Sequence, residues 1–329
     1  MKPTLPLILS ACVLATTSAA QDRPVLTVMT YDSFASDWGP GPAIETGFEA
    51  TCGCDLRFVA GGDGAALLAR LRLEGARTET DVVVGLDTAL VAAAAETGLF
   101  AEHGAVATEV PVPWNDPTFI PYDWGWFAFV YDKTRLATPP DSFVALAASD
   151  LRIVIQDPRS STPGLGLLYW VKAAYGDGAR GIWEGLSDNI VTVTKGWTEA
   201  YDLFLDGEAD MVLSYTTSPA YHLIAEEDDT KAAAAFTEGH YLQVELAAKV
   251  ASTDQPELAD AFLDFLTGPE AQGVIPTTNW MYPAVTPEAG LPKGFETLTV
   301  PAKSLLFPPA EAAAVRDGAL DEWRDALSR

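Results

Sequence analysis

The sequence predicts an α/β protein made of two lobes, with mixed sheets flanked by helices and a cleft between the lobes. Two observations support this fold class. Short apolar strands alternate with helical patterns in two separate series, and two long apolar runs, 122–132 and 241–250, are long enough to cross between lobes. The chain has 329 residues, 48% of them hydrophobic, so it has room for two domains of ordinary size.

The first series alternates three strands with three helices. Runs rich in β-branched residues predict the strands, and longer runs with apolar residues at helical spacing predict the helices between them. This order is typical of parallel strands joined by crossover helices. The strands are expected at residues 25–30, 56–60 and 82–85, and the helices at residues 44–50, 65–73 and 90–97.

A proline-rich stretch at 111–121 leads into the first crossing run, and a second series follows it. Pro219 suits the first turn of another helix. The remaining strands are expected at 153–156, 191–193 and 211–213, and the remaining helices at 165–175, 198–205, 256–266, 269–274 and 309–327. The expected division is residues 21–123 with 238–285 in lobe 1, and residues 124–237 with 286–329 in lobe 2.

The N-terminus predicts export. Lys2 precedes an apolar run, and Ser18-Ala19-Ala20 has the small residues of a signal-peptidase site, so residues 1–20 are expected to be removed. An alternative is lipoprotein cleavage before Cys12. No later stretch reaches the roughly 18 apolar residues of a membrane helix, so we expect a periplasmic protein.

Charge and cysteine content narrow the function classes. The net charge of -26 argues against nucleic acid and anionic membrane as partners and is compatible with a cationic ligand. Cys52 and Cys54 form a Cys-x-Cys pair whose ring would be small, so a bond between them is left open. The three histidines are scattered, and we expect no metal site.

Several candidate ligand contacts follow predicted strands, where open α/β sheets bind ligands. Residues 214–221 follow a strand, and Asp63 either caps a helix or accepts a hydrogen bond from a ligand amino group. Residues 157–164 place three hydroxyls at a helix N-terminus, where they either cap the helix or grip an anion such as phosphate. Rings that can sandwich a flat cation are expected at the same rim: Tyr31, Trp38, Trp197, Tyr215, Tyr221, Trp280 and Tyr282.

Seven stretches, read together, resemble the periplasmic thiamine-binding proteins of ABC importers. The resemblance extends over nearly the whole chain after residue 20, including the Cys-x-Cys pair. Its motifs lie at residues 30–34, 37–42, 161–166, 191–197, 213–221, 238–243 and 279–283.

The resemblance implies a periplasmic-binding-protein type II fold that closes on thiamine, thiamine monophosphate or thiamine diphosphate and then docks on a membrane permease. It implies no cofactor and no catalytic residue, and we expect a monomer. By motif, Asp63 would meet the aminopyrimidine, and the phosphate side would be formed by Ser161, with Thr162 beside it, and Trp280. Trp197, Tyr215, Tyr221 and Tyr31 would pack around the rings.

Two other functions remain as alternatives. A binding protein of the same fold could take ferric iron, a polyamine or an oxyanion. A thiamine-cleaving enzyme is similar in fold, but it would need an activated nucleophile in the cleft. Cys52 and Cys54 precede a strand, so they lie at the end of that strand opposite the expected ligand contacts.

Overall fold

The structure, a computed structural model, describes residues 23–104 and 106–328. The expected signal peptide at 1–20 and the alternative cleavage site before Cys12 lie outside this part of the chain. Within it, no helix is both long enough and apolar enough to span a membrane.

The strands agree closely with those expected from hydrophobic runs. All eight expected strands are present, and four short ones pair with the long strands of residues 120–132 and 240–250. The described strands are β1 (Val25–Thr30), β2 (Asp55–Ala60), β3 (Val82–Asp87), β4 (Phe100–Ala101), β5 (Ile120–Asp132), β6 (Ile153–Gln156), β7 (Ile190–Thr194), β8 (Met211–Tyr215), β9 (Lys231–Ala233), β10 (His240–Val250), β11 (Tyr282–Pro283) and β12 (Ser304–Leu305).

The expected helices are also present, and three of them extend further than expected by about a turn: 41–52, 162–175 and 269–278. The described helices are α1 (Asp32–Ala35), α2 (Gly41–Cys52), α3 (Gly64–Glu74), α4 (Val91–Ala95), α5 (Phe143–Ala147), α6 (Thr162–Tyr175), α7 (Ala179–Leu186), α8 (Trp197–Leu205), α9 (Pro219–Ala225), α10 (Pro256–Leu266), α11 (Pro269–Thr278) and α12 (Pro309–Leu327). Helix α7 was not predicted, although Ile182, Trp183 and Leu186 are buried at helical spacing.

The strands form one mixed sheet in the order β2-β1-β3-β10-β5-β8-β6-β7. The outer strands pair in parallel on both sides: β1 with β2 and β3, and β6 with β7 and β8. The central strands β10 and β5 run antiparallel to each other and to their outer neighbours β3 and β8. The mixed α/β fold predicted from the sequence is confirmed.

Strand β5 joins the two halves of this sheet. Its first part pairs with β10, whereas residues 127–131 pair with β8. Every residue of β10 is buried, as expected for a strand in the centre of a large sheet. We call the β2-β1-β3 side the first half and the β8-β6-β7 side the second half.

Cys52 and Cys54, left open by the sequence, are joined by a disulfide bond. The bond lies at the end of α2, just before β2 begins, and Cys54 is fully buried. The parallel strands carry their ligand-facing residues at the opposite ends, so the disulfide is remote from the rim described next.

Candidate functional site

A cavity of about 410 Å³ opens between the two halves. This is within the range of a small-molecule site. Residues from both halves line it: Tyr31, Ser33, Trp38, Asp63, Gly64, Thr162, Pro163, Trp197, Thr198, Tyr201, Asp202, Leu205, Tyr215, Ser218, Tyr221, Glu245, Asn279, Trp280 and Met281.

Strand ends supply much of the lining, as the sequence predicted. Tyr31 follows β1, Asp63 comes shortly after β2, and Tyr215 ends β8. The structure brings all eight predicted site residues together, and seven of them line the cavity: Tyr31, Asp63, Thr162, Trp197, Tyr215, Tyr221 and Trp280. The eighth, Ser161, is fully buried and contacts Asp63.

Asp63 joins the two halves. Its Oδ2 accepts a hydrogen bond of 2.7 Å from Ser161 Oγ and one of 3.2 Å from the backbone N–H of Trp197. Burial raises the pKa of Asp63 to about 6, although both hydrogen bonds act to lower it. Asp63 stands at the N-cap position of α3 without capping that helix through its side chain. We call Asp63, Ser161 and the Trp197 amide the bridge.

A second contact across the cleft adjoins the bridge. The backbone N–H of Gly64 donates to Thr162 Oγ1 at 3.2 Å. A side chain at position 64 would clash, since its Cβ would lie 2.6 Å from Thr162 Oγ1 and 2.5 Å from the backbone oxygen of Gly85. Glycine is therefore what lets the two halves approach this closely.

The three hydroxyls at the start of α6 are all engaged by the protein in this conformation. Ser160 Oγ donates to the backbone oxygen of Lys195, Ser161 donates to Asp63, and Thr162 accepts from Gly64. Ser161 occupies the N-cap position without a side-chain capping bond. Helix capping, the alternative weighed from the sequence, is therefore not what these side chains do; they connect α6 to neighbouring loops and to the first half.

Beneath the cavity, buried polar side chains surround Glu245 of β10. Tyr31 Oη donates to Glu245 Oε2 at 2.8 Å, and Tyr122 Oη donates to the same oxygen. Gln243 Nε2 donates to Oε1 at 2.7 Å. Asn279 donates to Tyr31 and, at 2.6 Å, to Asp123 Oδ2. We call the floor cluster this set of six residues: Tyr31, Tyr122, Asp123, Gln243, Glu245 and Asn279.

The floor cluster holds two carboxyl groups close together. Burial raises the pKa of Glu245, and burial together with the charge of Glu245 raises the pKa of Asp123 well above its usual range. Asp123 Oδ1 is buried and has no hydrogen-bond partner within the described part of the chain. Glycine at position 85 makes room for this cluster, because a Cβ there would lie 2.2 Å from the ring of Tyr31.

Aromatic rings form the walls above the floor. The Trp197 ring stacks on Tyr201 with centroids 5.0 Å apart, and its Nε1 donates to Ser214 Oγ at 2.8 Å. Tyr221 meets Trp280 edge to face at 5.4 Å. Trp280 has a φ of 57°, a conformation that costs a bulky residue free energy and that recurs at functional sites.

Tyr282, also expected at the rim, lies elsewhere. Its ring stacks on Trp124 with centroids 4.5 Å apart, and it is buried against β5 outside the cavity lining. The expectation was wrong because residues 282–283 form β11, which turns the side chain into the core instead of toward the cleft.

Sequence reasoning missed several lining residues, above all Glu245, Asn279 and Tyr201. A signal for Glu245 was present: a glutamate inside an otherwise apolar run that must be a central strand is rarely buried without a reason. Tyr201 lies within a predicted helix, where its pattern reads as ordinary core.

His222, Glu226 and Asp228 form a triad whose potential ligand atoms lie within 4.8 Å of one another. Their atoms already have protein partners. His222 bonds to Glu226 and to Tyr201 Oη, whereas Asp228 accepts from Thr230 and Lys231. His222, which Glu226 holds in place, therefore supports Tyr201 in the cavity wall.

The charge of the cavity has one sign. Asp63, Asp202 and Glu245 line it, and within the described residues no lysine, arginine or histidine does. Aromatic faces and carboxylates both attract cations, and flat rings pack well between Trp and Tyr. The site is built for a flat ligand that carries positive charge or hydrogen-bond donors.

The fold and this interlobe site are those of a solute-binding protein. The family model described as bacterial extracellular solute-binding protein matches residues 34–273, and the chain belongs to this family. Iron-bound HitA from Pseudomonas aeruginosa shares the fold at 21% identity, with a TM-score of 0.73 over 92% of this chain and 99% of that one.

Relatives of higher sequence identity are thiamine-binding proteins. The thiamine-binding periplasmic protein of Escherichia coli strain K12 is 55% identical, and the match covers 100% of both chains. A solved structure of a periplasmic thiamin binding protein is 56% identical, with a TM-score of 0.92 over 94% of this chain and 98% of that one. The resemblance noted in the sequence is confirmed, as is the type II periplasmic-binding-protein fold.

Proposed function

We propose that the protein is a periplasmic receptor that captures thiamine and its phosphate esters and delivers them to the permease of an ABC importer. The observation that carries this proposal is the cavity itself: aromatic walls and three carboxylates, lined from both halves of the fold. Thiamine is a flat aminopyrimidine joined to a cationic thiazolium, which matches that lining. The names of relatives at 55–56% identity support the same ligand.

Ligand capture follows from closure of the cleft. We propose that the halves act as lobes, residues 21–123 with 238–285 and residues 124–237 with 286–329, that move about the crossing strands β5 and β10. A ligand that contacts both lobes favours the closed state by its higher affinity for that state. The bridge and the bond from Gly64 to Thr162 add contacts that exist only when the lobes meet.

Seven of the eight predicted residues keep the ligand contacts that the resemblance implies, and the eighth, Asp63, is part of the bridge. Trp197, Tyr215, Tyr221 and Tyr31 surround the rings of the ligand. Ser161, Thr162 and Trp280 face the phosphate side, where the hydroxyls at the start of α6 would exchange a protein contact for a phosphate oxygen. Because a bound phosphate would cost those hydroxyls their protein partners, we expect unphosphorylated thiamine to bind at least as well as its esters.

The proposed receptor is a monomer without a cofactor and has no catalytic step. A thiamine-cleaving enzyme would need a nucleophile such as cysteine in the cavity. Cys52 and Cys54 are bonded to each other, and neither is among the described residues that line the cleft. The iron alternative is disfavoured by a lining of indole and phenol rings with no histidine among the described residues.

Two measurements test the proposal. Native mass spectrometry of the freshly purified protein should detect bound thiamine or an ester. Calorimetry should then give binding heats for thiamine, its monophosphate and its diphosphate, and each should quench the tryptophan fluorescence of the protein.

Tyr221→Ala should weaken thiamine binding by roughly thirtyfold, because it loses about 2 kcal/mol of cation–π and stacking energy. Tyr221→Phe keeps the ring and should retain the affinity. Binding of another solute with no response to any thiamine compound would refute the proposal.

A further inference from the structure

Two carboxylates that line the cavity, Asp63 and Glu245, take their hydrogen bonds from different parts of the fold. Asp63 takes its hydrogen bonds from Ser161 and Trp197, which belong to the second half. Glu245 takes its bonds from Tyr31, Tyr122 and Gln243, all of which belong to the first half or the crossing strands. The surroundings of Glu245 are therefore complete before the cleft closes, whereas those of Asp63 are not.

Glu245 forms no salt bridge with any residue in the described part of the chain. It is only 7% exposed, and that exposure is toward the cavity. Its Oε2 accepts from Tyr31 and Tyr122 and its Oε1 accepts from Gln243, and the buried carboxyl of Asp123 lies in hydrogen-bond contact with it. The charged groups that face it are further acids, Asp63, Asp87 and Asp123. A buried carboxylate without a cationic partner is costly, so a donor that arrives from the cavity is strongly favoured.

We propose that Glu245 is the specificity-determining residue of the cavity: it accepts a hydrogen bond from the amino group of the ligand's heterocycle, while Asp63 acts through closure. This inference rests on the proposed function, and it moves the amino contact from Asp63, where the family resemblance had placed it, to the floor cluster. Tyr31 and Tyr122 are positioning residues that fix the carboxylate of Glu245, and Asn279 ties Tyr31 to Asp123.

The role assigned to Glu245 predicts discrimination between two ligands that differ at one group. Oxythiamine has a carbonyl oxygen where thiamine has the amino group, so it offers an acceptor where the proposed site offers one as well. Hydrogen bonds to charged groups contribute enough for roughly a ten- to hundredfold preference. We expect the wild-type protein to bind thiamine more tightly than oxythiamine by about this ratio.

The test compares this ratio in three variants by calorimetry. Glu245→Gln is isosteric, removes a buried charge and supplies an amide donor to the carbonyl, so the ratio should fall toward one. Asp63→Asn should weaken both ligands by the same factor and leave the ratio unchanged. Glu288→Gln, at an exposed acid that is not part of the cavity lining, should change neither the ratio nor the affinity for either ligand.

Glu245→Asp provides a second variant that keeps the buried charge. Its carboxylate is withdrawn by one methylene, so the ratio should again fall, and thermal unfolding shows which variants remain folded. A wild-type ratio that persists in both folded Glu245 variants, or one that collapses in Asp63→Asn, overturns the inference. Absence of thiamine binding by the wild-type protein would instead refute the proposed function, so the two failures are distinguishable.

Discussion

The floor cluster and the bridge use the same chemistry for different purposes. Each places a carboxylate among hydroxyl and amide donors, and in each burial raises the pKa of that carboxylate. The floor cluster is assembled from the end of β1, the central strands β5 and β10 and the end of α11, and none of its residues comes from the second half. The bridge is assembled from a loop of the first half and two loops of the second.

This difference separates recognition from closure. Contacts made by the floor cluster are available to a ligand in the open and the closed state, so they select which ligand enters. Contacts of the bridge exist only in the closed state, so they set how far any bound ligand shifts the equilibrium toward closure. Substitutions in the two regions should therefore have different signatures: a change of ligand ratio for the floor, and a uniform loss of affinity for the bridge.

The largest expected effect comes from breaking the bridge at Asp63. Asp63→Ala removes the acceptor of two hydrogen bonds and leaves Ser161 Oγ and the Trp197 amide without it. A net loss of about 1.5–3 kcal/mol, the contribution of one hydrogen bond to a charged group, should lower thiamine affinity roughly ten- to hundredfold. Calorimetry measures the change, and Glu288→Gln is the control. Unchanged affinity would show that the bridge contributes nothing to closure.

A pH dependence of intermediate size should follow from the same residue. The pKa of Asp63 is about 6 because of burial, and a cation in the cavity favours the ionised form, so binding must lower this pKa. Protons are then released on binding near pH 6, and thiamine affinity should rise by up to about tenfold from pH 5 to pH 7.5.

Calorimetry in buffers of different ionisation enthalpy measures this proton release. The pKa values of Glu245 and Asp123 are raised as well, so the floor cluster also contributes to the proton release on binding. The difference in proton release between the wild-type protein and Asp63→Asn gives the contribution of the bridge. Equal proton release in both would assign the whole pH dependence to the floor and contradict the role of Asp63.

The sequence predicted the rim better than the floor for a physical reason. Asp63, Trp197, Tyr215 and Tyr221 follow strands that can be recognised from local hydrophobic runs, and the ends of parallel strands meet at one edge. Glu245 lies inside a strand, and only Gln243 among its partners is local. Tyr31 and Tyr122 are 214 and 123 residues away in the chain, and only the order of strands in the sheet brings them to Glu245.

The roles of individual hydroxyls were harder to predict than their location. Ser161 and Thr162 were expected at a helix start that caps itself or grips an anion, and both do begin α6. Their actual partners, Asp63 and Gly64, are 98 residues away in the chain. A bond across a cleft leaves no local pattern, because neither spacing nor propensity encodes which loops of two lobes will meet.

The smallest expected effect is a loss of affinity at Thr162, and it tests whether this residue acts with the bridge or with the floor cluster. Thr162→Val keeps the shape of the side chain but removes the acceptor for the Gly64 N–H, whereas Thr162→Ser keeps the acceptor. An unpartnered buried N–H costs about 1 kcal/mol or more in the closed state alone, so the valine variant should bind roughly fivefold more weakly. Because the open state is unaffected, thiamine and oxythiamine should weaken by the same factor, and the serine variant should match the wild-type protein. A loss confined to one of the two ligands would place Thr162 with the floor, as a residue that recognises the ligand, and not with the contacts that close the cleft.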